Sequence, residues 1–512
     1  VIRRALLSAY DKSGLLAFAR GLHELDVDLV ASGGTARLLA NDGLPVTDVE
    51  DLTGFPPMLG HRVVTLHPAV HGGILARRDV PDDGDDLERH GIEAIDLVCV
   101  NLYPFEQTVG RLDVAWDEAI EQIDIGGPAL LRAAAKNHAF VVPICRPDDY
   151  EVVLEELRET GDVGDDLRRE LAERVFATTA TYDAAVAAWL GGERLAPETL
   201  VLAFDRVRGL SYGENPHQEA AYYAQRGART HLLARVEQLH GKPLSYNNLN
   251  DLAAARRLAL ELARPACVIV KHANPCGVAV ADTIDEAYAG ALACDPVSAY
   301  GGVVVLTQPV GAALGAALAE QFVEVLHAPG LDAAALEALV QKEATRVLVD
   351  RERRSPVLGE RDLQRVPGGM LVQSPDDGLD PLDAMTVVCG AADAETWEDL
   401  LFAWTVAKHV TSNAIVIARA GRTLGIGAGQ MSRVDAVRIA VAKAREHGHD
   451  LTGAVLASDA FFPFADGPAL ALEAGVKAVV QPGGSKRDAE VIAAVAEAGA
   501  TMVMTGRRHF RH

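Results

Sequence analysis

The chain has 512 residues, 49% of them hydrophobic and 23% charged. That composition excludes a disordered or fibrous protein and leaves room for about three folding units at ~150 residues each. With 48 Lys plus Arg against 72 Asp plus Glu, the net charge is −24, which excludes a broad nucleic-acid-binding surface. An anionic ligand must therefore meet positive charge that is built locally.

In chain order, residues 2–7 read as a strand and residues 13–25 as an amphipathic helix, with Leu15, Leu16, Phe18, Ala19 and Leu22 at 3–4 spacing. Residues 27–31 read as a second strand running straight into Ser32-Gly33-Gly34-Thr35 and another helix. Residues 96–102 and 140–145 are further buried strands, and residues 148–190 are mostly helical. The run Gly191-Gly192-Glu193-Arg194-Leu195-Ala196-Pro197 breaks this pattern and marks a domain boundary, giving domains 1–197 and 198–512. Beyond it, residues 267–271, 303–306, 454–457, 477–480 and 501–504 read as strands. Residues 310–395 read as Ala-rich helices followed by a Pro/Asp/Gly-rich connector at 367–381. No short-period repeat is visible. Strand–turn–helix alternation predicts an α/β protein built on a parallel sheet covered on both faces. No apolar run approaches the ~20 residues that span a bilayer, and the opening Val-Ile-Arg-Arg-Ala-Leu-Leu-Ser is too short in its apolar part for a secretory signal. A cytoplasmic protein without a membrane partner is expected.

Several positions could carry chemistry. Glycines between a strand and a helix, as in Ser32-Gly33-Gly34-Thr35, let backbone N–H groups close on an anion, and the helix N-terminus adds about half a positive charge. A plain tight turn would look the same. Ser8 and Lys12 follow the first strand and would open onto the same sheet edge. Lysine occurs at nine positions only. Lys12, Lys136, Lys271 and Lys408 sit in dense polar motifs, where a compact ammonium serves proton transfer or oxyanion stabilisation. Lys271-His272-Ala273-Asn274-Pro275-Cys276-Gly277 is the sharpest constellation, since it follows a strand and sets an imidazole beside an ammonium. On those two residues alone, a histidine satisfied by backbone partners is the simpler reading. Pro275-Cys276 invites comparison with zinc deaminases, but the Glu is missing and Ala279 stands where a second Cys is needed. The six cysteines, Cys99, Cys145, Cys267, Cys276, Cys294 and Cys389, form no C-x-x-C pair. His67-Pro68-Ala69-Val70-His71 lacks a zincin's Glu, and Pro68 breaks its helix. No metal is expected, and Cys276 reads as a packed thiol.

Taken together, longer motifs are specific. Tyr212-Gly213-Glu214-Asn215-Pro216-His217-Gln218, the Lys271 run, Asp295-Pro296-Val297-Ser298-Ala299-Tyr300-Gly301-Gly302, Gly425-Ile426-Gly427-Ala428-Gly429-Gln430-Met431-Ser432-Arg433 and Ser458-Asp459-Ala460-Phe461-Phe462-Pro463-Phe464-Ala465-Asp466 resemble one bifunctional purine-biosynthesis family. Its members join an AICAR formyltransferase to an IMP cyclohydrolase. Thr65-Leu66-His67-Pro68, Asn101-Leu102-Tyr103-Pro104-Phe105, Ile123-Asp124-Ile125-Gly126-Gly127 and Ala135-Lys136-Asn137-His138 extend the resemblance over nearly the whole chain.

The resemblance implies a methylglyoxal-synthase-like parallel-sheet domain followed by a formyltransferase of two cytidine-deaminase-like subdomains without zinc. It further implies a homodimer with formyltransferase sites across its interface. The co-substrate would be 10-formyltetrahydrofolate, with no tightly bound cofactor, and the route would run from AICAR through formyl-AICAR to IMP. His272 would be the base or proton shuttle, Lys271 the oxyanion stabiliser, and Asn413 the orienting group. Tyr212, His217, Arg433 and Arg508 would hold AICAR, and Gly301, Phe461, Phe464 and Asp466 would face the folate. For ring closure, Ser8, Lys12, Ser32, Gly33, Gly34, Thr35, Arg62 and Thr65 would bind nucleotide, with Tyr103, Asp124 and Lys136 as the catalytic group. Two departures stand out. Val64 replaces a Lys that the family usually carries, and Ser211 replaces an Arg. They raise the alternative of an active formyltransferase whose N-terminal domain cyclises poorly or only binds nucleotide.

Overall fold

The computed structural model describes every residue except 112, 193, 229–231, 234, 352–359 and 379. Glu193 of the expected break and Leu379 of the expected connector thus lie outside the described residues. The chain divides into two compact units, Val1–Ala203 and Phe204–His512.

In the first unit, β1 (Arg4–Ala9), β2 (Asp28–Ala31), β3 (Val46–Asp48), β4 (Leu97–Asn101) and β5 (Val142–Ile144) form one sheet in the order β3-β2-β1-β4-β5. Every pairing is parallel. The cause is visible in β1, where alternate residues feed opposite cores. Ala5, Leu7 and Ala9 pack with Phe18, Leu22 and Leu154 on one face, and Leu6 packs with Val98, Leu130 and Leu131 on the other. A sheet buried on both faces must be covered by helices on each. Leu15–Glu24, Gly33–Asn41 and Tyr150–Thr160 cover the first face, while Pro68–Leu75 and Gly126–Lys136 cover the second. The 27-residue helix Asp165–Gly191 closes the unit. Because the chain leaves β1 toward β2 on one side and reaches β4 on the other, the carboxyl ends of these strands frame a crevice.

The second unit opens with the antiparallel pair β6 (Phe204–Gly209) and β7 (Ala221–Gln225). A twelve-stranded mixed sheet follows. Its first half holds β8 (Val236–His240), β9 (Ala266–Lys271), β10 (Asn274–Val280), β11 (Gly302–Leu306), β12 (Val323–Ala328) and β13 (Arg346–Asp350). The hairpin β14 (Asp362–Val366) and β15 (Gly369–Gln373) stands apart. The second half holds β16 (Thr386–Cys389), β17 (Ile415–Arg419), β18 (Arg422–Gly427), β19 (Val455–Ser458), β20 (Ala478–Gln481) and β21 (Thr501–Met504).

The strand order, β16-β21-β20-β19-β17-β18-β10-β9-β11-β12-β13-β8, makes the halves mirror each other about the β10–β18 pair. Each half has an antiparallel hairpin, an antiparallel neighbour, two parallel strands and an antiparallel edge strand. The sheet also corrects the reading of residues 310–395. Helices Ala312–Glu320 and Ala333–Leu339 are present, but β12 lies between them, β13 follows them, and β15 occupies part of the connector.

Equivalent glycines hold equivalent helices. A Cβ on Gly277 of β10 would lie 1.9 Å from the carbonyl oxygen of Ala291, and one on Gly425 of β18 would lie 2.1 Å from that of Ala440. Only glycine lets these helices approach so closely. Gly277→Ala is therefore expected to destabilise the second unit by about 3 kcal/mol, because the colliding atom is backbone rather than a movable side chain. Thermal unfolding checks this, and an unchanged midpoint would contradict the packing described.

Candidate active sites at two sheet edges

In the first unit, loops leaving β1, β2 and β4 meet at the carboxyl edge. Lys12 Nζ donates to Thr35 Oγ1 at 2.8 Å and also to the Ala9 carbonyl. Asn101 Oδ1 accepts from the backbone N–H groups of Tyr10 and Asp11 at 2.6 and 2.8 Å, tying the loop after β1 to β4. Ser32 is the N-cap of helix Gly33–Asn41, so Gly33, Gly34 and Thr35 occupy its first turn beside Lys12. Ser8 lies at the end of β1. Burial lowers the Lys12 pKa.

A second group adjoins it. Tyr103 stacks edge-on against Tyr10 at 5.5 Å. Asp124 Oδ1 accepts from Gly127 N at 2.8 Å at the start of helix Gly126–Lys136, and its own N–H donates to Tyr182 at 2.7 Å. Burial raises the Asp124 carboxyl, partly offset by backbone N–H groups of Gly127 and Tyr103. Tyr103 is also pushed up, by burial first and then by the Asp124 charge. Thr65 Oγ1 lies 3.1 Å from where a Cβ on Gly126 would sit. Arg62 pairs with Glu121, Nε to Oε2 at 3.1 Å. Lys136 is not brought to this group. It ends the 11-residue helix Gly126–Lys136, whose first turn Asp124 caps through Gly127 N, about 15 Å away at 1.5 Å per residue. There it lines a groove of about 840 Å³ with His71, Arg132, His138 and Arg169. Val64 packs against the apolar cluster of Leu6, Val30 and Val70.

In the second unit, antiparallel registers bring the end of β9, the start of β10, the end of β18, the start of β17 and the end of β19 to one edge. Lys271 closes β9, and its Nζ donates to the Tyr300 carbonyl at 2.8 Å beside Gly301. His272 is exposed at the hairpin turn. Asn274 joins this turn to the other half of the sheet. Its Nδ2 donates to the His272 carbonyl at 3.2 Å, and its Oδ1 accepts from Thr411 N at 2.8 Å.

Two residues on, Asn413 Nδ2 donates to the carbonyls of Gln430 and Met431 at 2.8 and 3.1 Å. Its Oδ1 accepts from Arg433 Nη2 at 2.5 Å. Buried Arg433 also donates to Ser458 Oγ at 2.8 Å and pairs with Asp459. The Asp459 carbonyl accepts from His509 N at 3.0 Å, which brings the neighbouring Arg508 to this edge. Phe461 and Phe464 follow β19 with exposed rings, Phe464 under the Arg487 guanidinium at 4.9 Å, and Asp466 begins the next helix. Tyr212 and His217 lie in a turn closed by Gly213 N donating to the Gln218 carbonyl at 2.7 Å. That turn meets helix Tyr246–Leu260, where Tyr246 N donates to the Tyr212 carbonyl at 3.2 Å.

Sequence reasoning missed Asp251, on that same helix, and the bridging role of Asn274. The polar run Asn247-Asn248-Leu249-Asn250-Asp251 carried a signal, but its partner lies some 20 residues away. Burial pushes the Cys276 thiol up to about 12. Among the described residues no three His, Cys, Asp or Glu side chains converge as metal ligands.

Two family models and a solved structure match parts of this chain. A family model described as "AICARFT/IMPCHase bienzyme" matches residues 134–443, and one described as "MGS-like domain" matches residues 14–129. A solved structure titled "Crystal structure of ForH" is 40% identical, covering 36% of this chain and 98% of that chain, with a TM-score of 0.33. Among the described residues no helix is long and apolar enough to cross a membrane.

Proposed function

Since the chain belongs to the AICARFT/IMPCHase bienzyme family, the AICAR formyltransferases and IMP cyclohydrolases of purine biosynthesis, we propose that its two sheet edges divide that chemistry. Formyl transfer belongs to the edge carrying Lys271, His272, Asn413 and Arg433, within residues 198–512. Ring closure belongs to the edge carrying Lys12, Thr35, Thr65, Tyr103 and Asp124, within residues 1–197. The observation that carries this reading is the Asn274 bridge, which sets the Lys271–His272 turn beside the Asn413–Arg433 pair.

The 5-amino group of AICAR is conjugated with its carboxamide and is a poor nucleophile, so it needs positioning and proton removal as it attacks the formyl carbon. His272, exposed and free of ring hydrogen bonds among the described residues, takes that proton. Lys271 spends one N–H on Tyr300 and keeps two for the tetrahedral oxyanion. The proton then passes to the leaving folate nitrogen as its bond to the formyl carbon breaks. Asn413 is locked by Arg433 and orients these groups. Arg508, with Tyr212 and His217, holds the nucleotide. Gly301, Phe464 and Asp466 border the folate, and the exposed ring of Phe461 suits its pteridine. The folate enters as 10-formyltetrahydrofolate and is consumed as co-substrate. A homodimer and a cytoplasmic location are part of the same reading.

In the first unit, the carboxamide nitrogen attacks the new formyl carbon and water leaves. Asp124 and Tyr103, both shifted upward by burial, are the groups that exchange protons with the substrate as water leaves. Lys12, Arg62, Thr65, Ser8 and residues 32–35 bind the nucleotide. The packing of Val64 into an apolar cluster favours a second reading of this unit, in which ring closure is slow.

The test is direct. Purified chain given AICAR and 10-formyltetrahydrofolate is expected to release tetrahydrofolate and yield IMP. Supplied formyl-AICAR is expected to yield IMP faster than in buffer. Without folate release the first assignment falls, and with ring closure at the buffer rate the second does.

A further inference from the structure

The two halves of the large sheet each contain a helix whose Asp grips the turn of the neighbouring hairpin. In the first half, Asp251 lies six residues after the N-cap Ser245. Its Oδ2 accepts from His272 N at 3.2 Å and its Oδ1 from Ala273 N at 2.7 Å. In the second half, Asp399 lies six residues after the N-cap Asp393, and its Oδ1 accepts from Gly421 N at 3.1 Å.

The turns they hold match in conformation but not in residue type. His272 and Ala273 have φ of 53° and 60°, and Ala420 and Gly421 have φ of 52° and 68°. Left-handed backbone is strained for any residue with a Cβ and free for glycine. The second turn thus has glycine at its second position, and its Asp supplies one hydrogen bond. The first turn has no glycine, and its Asp supplies two. An Asp carboxylate accepting two adjacent N–H groups is what two consecutive non-glycine residues need to stay left-handed. The chain keeps the strained version where Lys271 and His272 stand, and the relaxed version at the opposite edge, where Arg419 and Ala420 take their places.

We propose that Asp251 is a positioning residue for formyl transfer, clamping the His272–Ala273 turn in a left-handed geometry that aims Lys271 and His272 at the reacting centre. This rests on the assignment of His272 as the proton acceptor. Asp251 itself touches no substrate and moves no proton.

The test uses the full-length chain. Asp251→Ala is expected to lower kcat for formyl transfer roughly 10- to 100-fold, the scale on which small misplacements of reacting groups act, and to change KM for AICAR less. Cyclisation of supplied formyl-AICAR, a reaction of the other unit, is expected to be unchanged. Adding Ala273→Gly removes the strain that Asp251 opposes, so the double variant is expected to recover most of the lost kcat. If Asp251→Ala unfolds the second unit, Asp251→Asn takes its place. It keeps one acceptor, is expected to lose less, and is likewise to be restored by Ala273→Gly. Wild-type kcat in the folded single variant overturns the proposal, and so does a folded double variant no faster than the single one. A His272→Ala variant run beside them separates the two ideas. If it transfers formyl normally, the assignment of His272 fails. If it is inactive while the folded Asp251 variant is unimpaired, only the clamp fails.

Discussion

Truncating His272 to alanine is expected to cut formyl transfer by roughly 10²–10⁴-fold, the usual contribution of a positioned general base, while leaving the fold and the ring-closing step intact. Such selectivity follows from how the residue is held. Its backbone N–H bonds Asp251 and its carbonyl accepts from Asn274, whereas its side chain is exposed. Removing the ring therefore leaves these backbone bonds in place and opens no cavity in the core. Alanine also tolerates the required conformation, since Ala420 holds φ of 52° at the equivalent position of the second half and Ala273 holds 60° next door. The expected signature is a loss confined to tetrahydrofolate release, with formyl-AICAR still converted to IMP at the parent rate and the unfolding midpoint unmoved. Near-normal transfer in a well-folded variant would remove His272 from its role.

The same edge shows what a linear reading can and cannot reach. Strands such as β9, β11, β20 and β21 were legible because their apolar runs are short and bounded by turn residues. β17 and β18 were not. Gly425 and Gly427 make β18 look like a loop, yet they are there because helix Arg433–Glu446 lies against that strand, where their Cβ atoms would meet the backbone of Ala440 and Ala436. β12 and β13 were masked by the alanine-rich helices on either side of β12. The mirrored halves share topology rather than a visible sequence period, so no repeat could be read. Within the site, Lys271 and His272 were legible as a motif, but Asp251 acts through backbone N–H groups and leaves no spacing rule. Lys136 illustrates the converse. The resemblance groups it with Asp124, but the 11-residue helix Gly126–Lys136 lies between them and carries Lys136 to its far end.

Replacing Val64 with lysine is expected to accelerate ring closure by up to roughly 100-fold, because one well-placed cation at developing negative charge is worth about 3 kcal/mol. Charge accumulates on the formyl oxygen as the carboxamide nitrogen attacks, and the cluster's basic side chains are already engaged. Arg62 is tied to Glu121, and Lys12 donates to Thr35. Val64 sits next to buried Thr65, which reaches the start of helix Gly126–Lys136 near Asp124. A lysine there can lay its stem over the apolar cluster that Val64 now packs against and extend its ammonium toward the edge. Some packing is lost, so a drop of about 1 kcal/mol in the stability of the first unit should accompany the gain. Formyl transfer, performed by the other unit, should not change. A folded Val64→Lys variant that cyclises formyl-AICAR no faster than the parent would show that a missing ammonium is not what limits this step. Saturable IMP binding by the parent chain, together with cyclisation at the buffer rate in both proteins, would instead identify the first unit as a nucleotide-binding module.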